Sequence, residues 1–92
     1  MPFDFTLSEE AKEVLSKLSK KDPFTAEIIG KKIKQIIACD IQTIDHYKNL
    51  KNELSDYKRV HVAKSFVLMF KVYKKENFIL FNKIKHHDDA YN

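Results

Sequence analysis

The sequence has little of several residue types on which particular kinds of protein depend. Its 92 residues include one cysteine, Cys39, which excludes an internal disulfide framework and a zinc cluster built from several cysteines. One glycine and two prolines argue against a loop-rich or disordered chain. The longest apolar run, residues 66–70, is far shorter than the roughly 20 residues that cross a bilayer. The N-terminus shows no basic region followed by an apolar stretch. We therefore expect one soluble cytoplasmic domain, residues 1–92, with no membrane partner.

The charge is unevenly distributed along the chain. Lysine and arginine outnumber aspartate and glutamate by 17 to 13, which gives a formal net charge of +4. Residues 1–30 hold four lysines against six carboxylates, whereas residues 31–92 hold twelve lysines and Arg59 against seven. This basic portion favours an anionic partner, of which nucleic acid is the commonest, although a solvated lysine-rich surface gives the same count.

The first part of the chain has the pattern of a strand followed by two helices. Residues 3–7 alternate between apolar and polar side chains, which is typical of a half-buried strand. Ser8 is a candidate N-cap for a helix whose apolar residues repeat at intervals of three and four up to about residue 18. Asp22 followed by Pro23 predicts the start of a second helix that continues to about residue 39. Two antiparallel helices joined by a short turn are therefore expected.

The remainder of the chain changes to the two-residue period of β-strands. Residues 40–56 show no sustained period and predict an irregular segment. Alternation begins at residues 57–62, and two further β-rich runs follow at 66–72 and 78–84. The order predicts an α+β domain. In this domain an N-terminal strand and a two-helix hairpin pack on one face of a small antiparallel sheet, which a C-terminal three-strand meander completes.

Three segments of this β-rich part resemble the RelE/ParE toxin superfamily. They are Leu50 with YKRVHV at residues 57–62, SFVLMFKV at residues 65–72, and IKHHDDAY at residues 84–91. A histidine near the end of the second strand, together with a histidine four residues before a terminal aromatic, is most similar to the YafQ-like branch. The resemblance covers nearly the whole chain and implies a RelE-like fold. It also implies the toxin of a type II toxin–antitoxin system, a ribosome-dependent mRNA interferase that is neutralised by an antitoxin encoded beside it.

The chemistry of RNA cleavage points independently to some of the same residues. Cleavage without a metal needs a base for the proton of a 2′-hydroxyl, an acid for the leaving 5′-oxygen, and cations against the developing phosphate charge. Histidine titrates near neutral pH, so two histidines can act as the acid and the base. Because alternate strand residues point to one face, His61 is expected to lie beside Arg59 and Tyr57. His87 follows the last strand, and Lys83, four residues earlier, can face the same pocket.

The resemblance assigns roles to individual positions. His61 and His87 match histidines that contribute to acid/base chemistry, and Tyr91 matches a functional C-terminal aromatic. Arg59 and Lys83 are expected to stabilise the phosphate charge. The predicted substrate contacts come from four further residues, namely Phe66, Lys58, Ser65 and His86.

Three positions depart from the family pattern. Ser65 stands where the family has a catalytic carboxylate, next to the matched aromatic Phe66. Lys83 keeps the charge of the usual arginine but lacks its bidentate fork for phosphate. A further histidine, expected shortly before the second strand, is not matched in register, and His46 aligns with it only through a gap.

Each candidate also has a structural interpretation. His61, Lys58 and Arg59 can be ordinary strand-surface residues, and Phe66 also fits the apolar stripe of its strand. Cys39 is interpreted as a buried residue at a helix end, because nothing near it in the sequence supplies a paired base. The run HHDD at residues 86–89 is not interpreted as a metal site, since adjacent side chains seldom converge on one ion. No metal or cofactor is therefore expected.

The predicted function is cleavage of mRNA in the ribosomal A site, and the predicted partners follow from it. They are the cognate antitoxin, mRNA and ribosomal RNA, the last contacted by Lys31, Lys32 and Lys34 of the second helix. The toxin is expected to be a monomer within a hetero-oligomeric toxin–antitoxin complex. Two rival functions are a ParE-like poison of DNA gyrase, which needs no acid–base pair, and a catalytically degenerate ribosome- or RNA-binding module, which Ser65 and Lys83 favour.

Overall fold

A computed structural model describes residues 2–52 and 56–87 and gives the order of the secondary-structure elements. The elements are β1 (Asp4–Leu7), α1 (Glu9–Lys21), α2 (Pro23–Ile37), a 3₁₀ turn (Ile44–His46), β2 (Tyr57–Val62), β3 (Phe66–Tyr73) and β4 (Phe78–His86). This order confirms the predicted strand, helical hairpin and three-strand meander. Neither α1 nor α2 is long and apolar enough to cross a membrane.

Both helices begin at the predicted caps. The Ser8 hydroxyl accepts a hydrogen bond from the Ala11 amide at 3.0 Å and donates one to the Asn82 carbonyl at 2.7 Å, so the cap also joins α1 to β4. The Asp22 carboxylate accepts hydrogen bonds from the Thr25 amide and hydroxyl at 3.2 and 2.6 Å. The hairpin therefore turns at a residue that ends α1 and caps α2.

The four strands form one sheet in the order β1-β4-β3-β2. The meander β2-β3-β4 is antiparallel as predicted, but β1 runs parallel to β4, which makes the sheet mixed. The helical hairpin explains this difference. The Phe3 amide donates a hydrogen bond to the Ile37 carbonyl at 2.8 Å, so α2 returns the chain to the end of the sheet where β1 begins. Because β2 begins at that end and the next two strands alternate in direction, β4 runs in the same direction as β1.

The helices cover one face of the sheet, which we call the helix face. Fully buried side chains of β3 and β4 on this face, including Leu68, Phe70 and Phe81, pack with Ile29 and Ile36 of α2. Cys39, just beyond α2, is half-buried rather than buried, and its thiol lies 3.6 Å from the Gln35 carbonyl. The opposite side of the sheet, which we call the outer face, carries the alternate residues of the same strands.

Candidate active site

Charged side chains of the outer face form two adjacent rows across three strands. Cross-strand register pairs His61 with Val67 and Val67 with Lys85 in the first row. The second row pairs Arg59 with Met69 and Met69 with Lys83. Residues directly opposite in antiparallel strands share a face, so the three cations and His61 lie on one surface. The geometry confirms that Arg59 and His61 point to the same side.

Lys83 reaches this surface because β4 contains an irregularity. Phe70 pairs with Phe81 whereas the preceding residue, Met69, pairs with Lys83, so Asn82 is an extra residue in β4. Strict alternation from buried Phe81 would place Lys83 on the helix face. The extra residue moves Lys83 and Lys85 to the outer face and places Ile84 in the core.

His61 and His87 meet at the end of this surface. Their ring centroids are 5.2 Å apart and the ring planes are inclined by 34°. The His87 amide donates a hydrogen bond to the Ser65 carbonyl, which continues the pairing of β3 and β4 by one residue. Both side chains are exposed. Two imidazoles separated by 26 positions in sequence are thus held side by side, one row above Arg59 and Lys83.

His46 belongs to the same region, although no register could be assigned to it from the sequence alone. Together with Arg59 and His61 it lines a groove of about 680 Å³ between β2 and residues 46–51. Its Nδ1 lies 2.9 Å from the Thr43 carbonyl. Because a carbonyl only accepts hydrogen bonds, the proton is assigned to Nδ1, and the neutral ring then has a proton-accepting lone pair on Nε2.

The loop that carries His46 is fixed at its start by Asp40. The Asp40 carboxylate accepts hydrogen bonds from the amides of Gln42 and Thr43 at 3.0 and 2.8 Å, and a further one from the Thr43 hydroxyl. These bonds, chiefly those from Thr43, lower the pKa of Asp40 below its usual range. The spacing D-x-x-T at residues 40–43 is a turn signal, and it could have predicted this turn in a segment that shows no strand or helix period.

Lys58 holds the other end of this loop, and its placement corrects the predicted substrate contact. The side chain lies on the helix face and the residue is 5% exposed. Its ammonium group donates hydrogen bonds to the Tyr47 carbonyl and to Asn49 Oδ1, both at 2.7 Å, and lies 3.4 Å from the Asp45 carboxylate. Lys58 is therefore enclosed by the loop that it anchors, away from the outer face.

Phe66 and His86 also lie apart from the histidine pair, whereas Ser65 adjoins it, because its carbonyl accepts a hydrogen bond from the His87 amide. Phe66 and His86 are cross-strand neighbours on the helix face, with their rings edge-to-face at 5.5 Å. With Ser65 they line a second groove, of about 480 Å³, against the start of α2. Phe66 also packs against the hydrophobic core, which agrees with its structural interpretation. The arrangement therefore keeps the Phe66 and His86 side chains on the helix face, away from His61, Arg59 and Lys83.

Tyr91, the predicted C-terminal aromatic, lies outside the described residues, as do Asp88 and Asp89 of the HHDD run. Within residues 2–52 and 56–87, no three histidine, cysteine, aspartate or glutamate side chains are grouped so as to hold a metal ion.

The remaining shifted pKa values lie around the supporting contacts. Hydrogen bonds from Lys74 and then Lys58 lower the pKa of the exposed Asp45, and those from Thr25 lower the pKa of Asp22. Burial raises the pKa of Tyr47, with a smaller contribution from Cys39. These shifts describe the anchoring of the loop and of α2.

Comparison with known proteins places this geometry in a family. The chain matches no protein-family model. A protein named "Putative toxin RelE4" from Methanocaldococcus jannaschii is 38% identical over 89 residues, which cover 97% of this chain and 90% of that protein. YafQ from E. coli strain BL21(DE3) has a TM-score of 0.73 at 14% identity, over 98% of this chain and 99% of that one. A chain of the E. coli DinJ-YafQ toxin-antitoxin complex has a TM-score of 0.71 at 15% identity, over the whole of both chains. The solved structures have the same fold, and the relative shows the family. The chain therefore belongs to the RelE toxin superfamily, as the sequence resemblance predicted, and it has a YafQ-like fold.

Proposed function

We propose that this toxin is a ribosome-dependent endoribonuclease that cleaves mRNA by acid–base chemistry without a bound metal. The observation that supports the proposal best is the contact between the His61 and His87 rings, 5.2 Å apart, above a row of cations. One imidazole can take a proton while the other gives one, which is the pair of functions that RNA cleavage needs.

In the proposed reaction, one histidine removes the proton of the 2′-hydroxyl. The 2′-oxygen then attacks the adjacent phosphorus, and the bond from phosphorus to the 5′-oxygen breaks. The second histidine gives a proton to that leaving oxygen, so the products are a 2′,3′-cyclic phosphate and a free 5′-hydroxyl. Arg59 and Lys83, about 7 Å along the strands from the first row, stabilise the charge that develops on the phosphate.

His46 is an additional candidate for the base. Its Nε2 is the nitrogen left to accept a proton once Nδ1 donates to the Thr43 carbonyl, and its ring lines the groove that contains His61. In this arrangement His46 and His61 flank the substrate in the groove, and His87 protonates the leaving group. The carboxylate that Ser65 replaces is then not required.

The proposed partners follow from this activity. A ribosome-bound mRNA is the substrate, and the exposed Lys31 and Lys34, with half-buried Lys32, are positioned on α2 to contact ribosomal RNA phosphates. The likeness to a chain of a toxin-antitoxin complex supports a cognate antitoxin that holds this monomeric toxin in a hetero-oligomer. Because both proposed partners are found in the cytoplasm, we expect the toxin to act there.

Controlled expression tests the proposal. We expect growth arrest, loss of protein synthesis before DNA synthesis, and new mRNA 5′ ends at ribosome-occupied codons. His87→Ala relieves the arrest, and Tyr91→Phe is predicted to do so as well. Loss of DNA synthesis first, with intact mRNA, would instead identify a gyrase poison. Ribosome binding with no cleavage by the unmodified protein would identify a degenerate binding module.

A further inference from the structure

A third row of the outer face continues the surface beyond Arg59 and Lys83. Tyr57 lies two residues before Arg59 on β2, and the register pairs it with Lys71 of β3. Tyr73, two residues after Lys71, shares the same face. The two tyrosines and Lys71 thus occupy the end of the outer face opposite to His61 and His87.

Lys71 lies between the two tyrosine rings. Its ammonium nitrogen is 5.9 Å from the Tyr57 ring centroid and 5.1 Å from that of Tyr73. The Asp56 carboxylate is 3.9 Å from the same nitrogen, with 75% of its side chain exposed, a distance and exposure at which an ion pair contributes little. Tyr57, Lys71 and Tyr73 are all partly exposed.

We infer that Tyr57, Lys71 and Tyr73 form a second RNA subsite, in which a base stacks on a tyrosine ring and Lys71 binds the neighbouring phosphate. Proteins hold single-stranded nucleic acid by stacking its bases on aromatic rings and by binding its phosphates with neighbouring cations. Tyr57 lies four strand residues from His61, which is about 13 Å along β2. An extended strand with its scissile phosphate at the histidine pair passes Arg59 and Lys83 before it reaches Tyr57.

The subsite adds a binding site to the proposed function. It rests on that function only because its ligand is RNA. It is distinct from the acid–base residues, so its loss weakens RNA binding and leaves the chemical step unchanged. Removal of one stacking ring costs roughly five- to a hundredfold in affinity. Removal of one phosphate contact to a single strand lowers the slope of log affinity against log salt by about 0.7.

The test is the equilibrium binding of a fluorescent, fully 2′-O-methylated single-stranded RNA, which cannot be cleaved. Tyr57→Ala and Tyr73→Ala are expected to weaken binding by roughly five- to a hundredfold, whereas Tyr57→Phe, which keeps the ring, stays within about twofold of the unmodified protein. Lys71→Ala lowers the salt slope by about 0.7, and Lys17→Ala, which removes the same charge from the exposed surface of α1, does not. Thermal unfolding confirms that each variant is folded.

The inference is overturned if the unmodified protein does not bind this RNA, or if both folded alanine variants bind as tightly as it does. Cleavage by the same proteins in a translating extract is measured separately. RNA binding that depends on Tyr57 without any mRNA cleavage contradicts the proposed nuclease and leaves the subsite supported. Cleavage that is unaffected by Tyr57→Ala at every toxin concentration contradicts the subsite and leaves the nuclease standing.

Discussion

The buried Lys58 gives the sharpest stability prediction. Lys58→Met keeps the length of the side chain and removes its charge and its donors. The Tyr47 carbonyl and Asn49 Oδ1 then lose the hydrogen bonds that they accept at 2.7 Å. An unsatisfied buried acceptor costs about 1–3 kcal/mol, but Asn49 is exposed and can bind water instead. The Asp45 carboxylate keeps its bond to Lys74. The unsatisfied Tyr47 carbonyl is then the main cost, and we expect a loss of about 1–3 kcal/mol in the free energy of unfolding.

Denaturant and thermal unfolding, followed by circular dichroism, measure this loss. For a domain of this size, each kcal/mol lowers the melting temperature by about 4–8 °C, so Lys58→Met should melt about 4–24 °C below the unmodified protein. Lys74→Met is the matched control, because Lys74 is 44% exposed and its pair with Asp45 is worth at most about 1 kcal/mol. If Lys58→Met is as stable as Lys74→Met but has lost RNA affinity, then Lys58 is a substrate contact and does not anchor the loop.

Three further predictions concern pH, α2 and the loop. The pKa values of Asp22 and Asp45 are lowered on folding, so their stabilisation is complete above about pH 4 and is lost as pH falls through the folded values. Asp22→Asn and Asp45→Asn should flatten the decline of melting temperature with acid. Gly30→Ala should stabilise the protein by about 1 kcal/mol in denaturant unfolding, because nothing lies within 4 Å of the added methyl group and α2 is helical there. His46→Ala should slow mRNA cleavage about 10²-fold or more but leave thermal stability nearly unchanged, since the side chain is exposed.

Each of these predictions has a clear contrary result. Acid profiles of the two asparagine variants that are parallel to that of the unmodified protein contradict the assigned carboxylate shifts. A destabilised Gly30→Ala shows that α2 needs glycine for a reason absent from the structure. Full cleavage activity in His46→Ala removes it from the catalytic set.

Local signals in the sequence predicted most of the fold because its helices begin at strong caps. Ser8 and Asp22 each combine a capping side chain with the start of an apolar stripe, and both caps form as predicted. The direction of β1 depends on where the helical hairpin returns the chain, which is a long-range property. Alternation within each strand correctly placed Arg59 with His61, since that period holds in any regular strand.

The candidate site was less accessible to prediction because it depends on two irregular features. The extra residue of β4 moves Lys83 to the outer face. In the sequence it is marked by the spacing of the buried residues Phe81 and Ile84, which are three positions apart, whereas a regular strand would place them two apart. The loop before β2 has no period, so the approach of His46 to the groove and the burial of Lys58 follow from tertiary contacts. The separation of His86 from His87 onto opposite faces was implicit in the strand alternation.

Cleavage of A-site mRNA on stalled ribosomes, measured with excess toxin in a single turnover, tests the central claim most directly. We predict that His61→Ala and His87→Ala each slow cleavage by about 10²- to 10⁴-fold while ribosome binding is retained. His86→Ala is the matched control, because it removes the neighbouring imidazole from the helix face, and it should cleave at nearly the unmodified rate. Cleavage that survives loss of both His61 and His87, or that falls as far in His86→Ala as in His87→Ala, would contradict the assignment of the chemistry to the outer face.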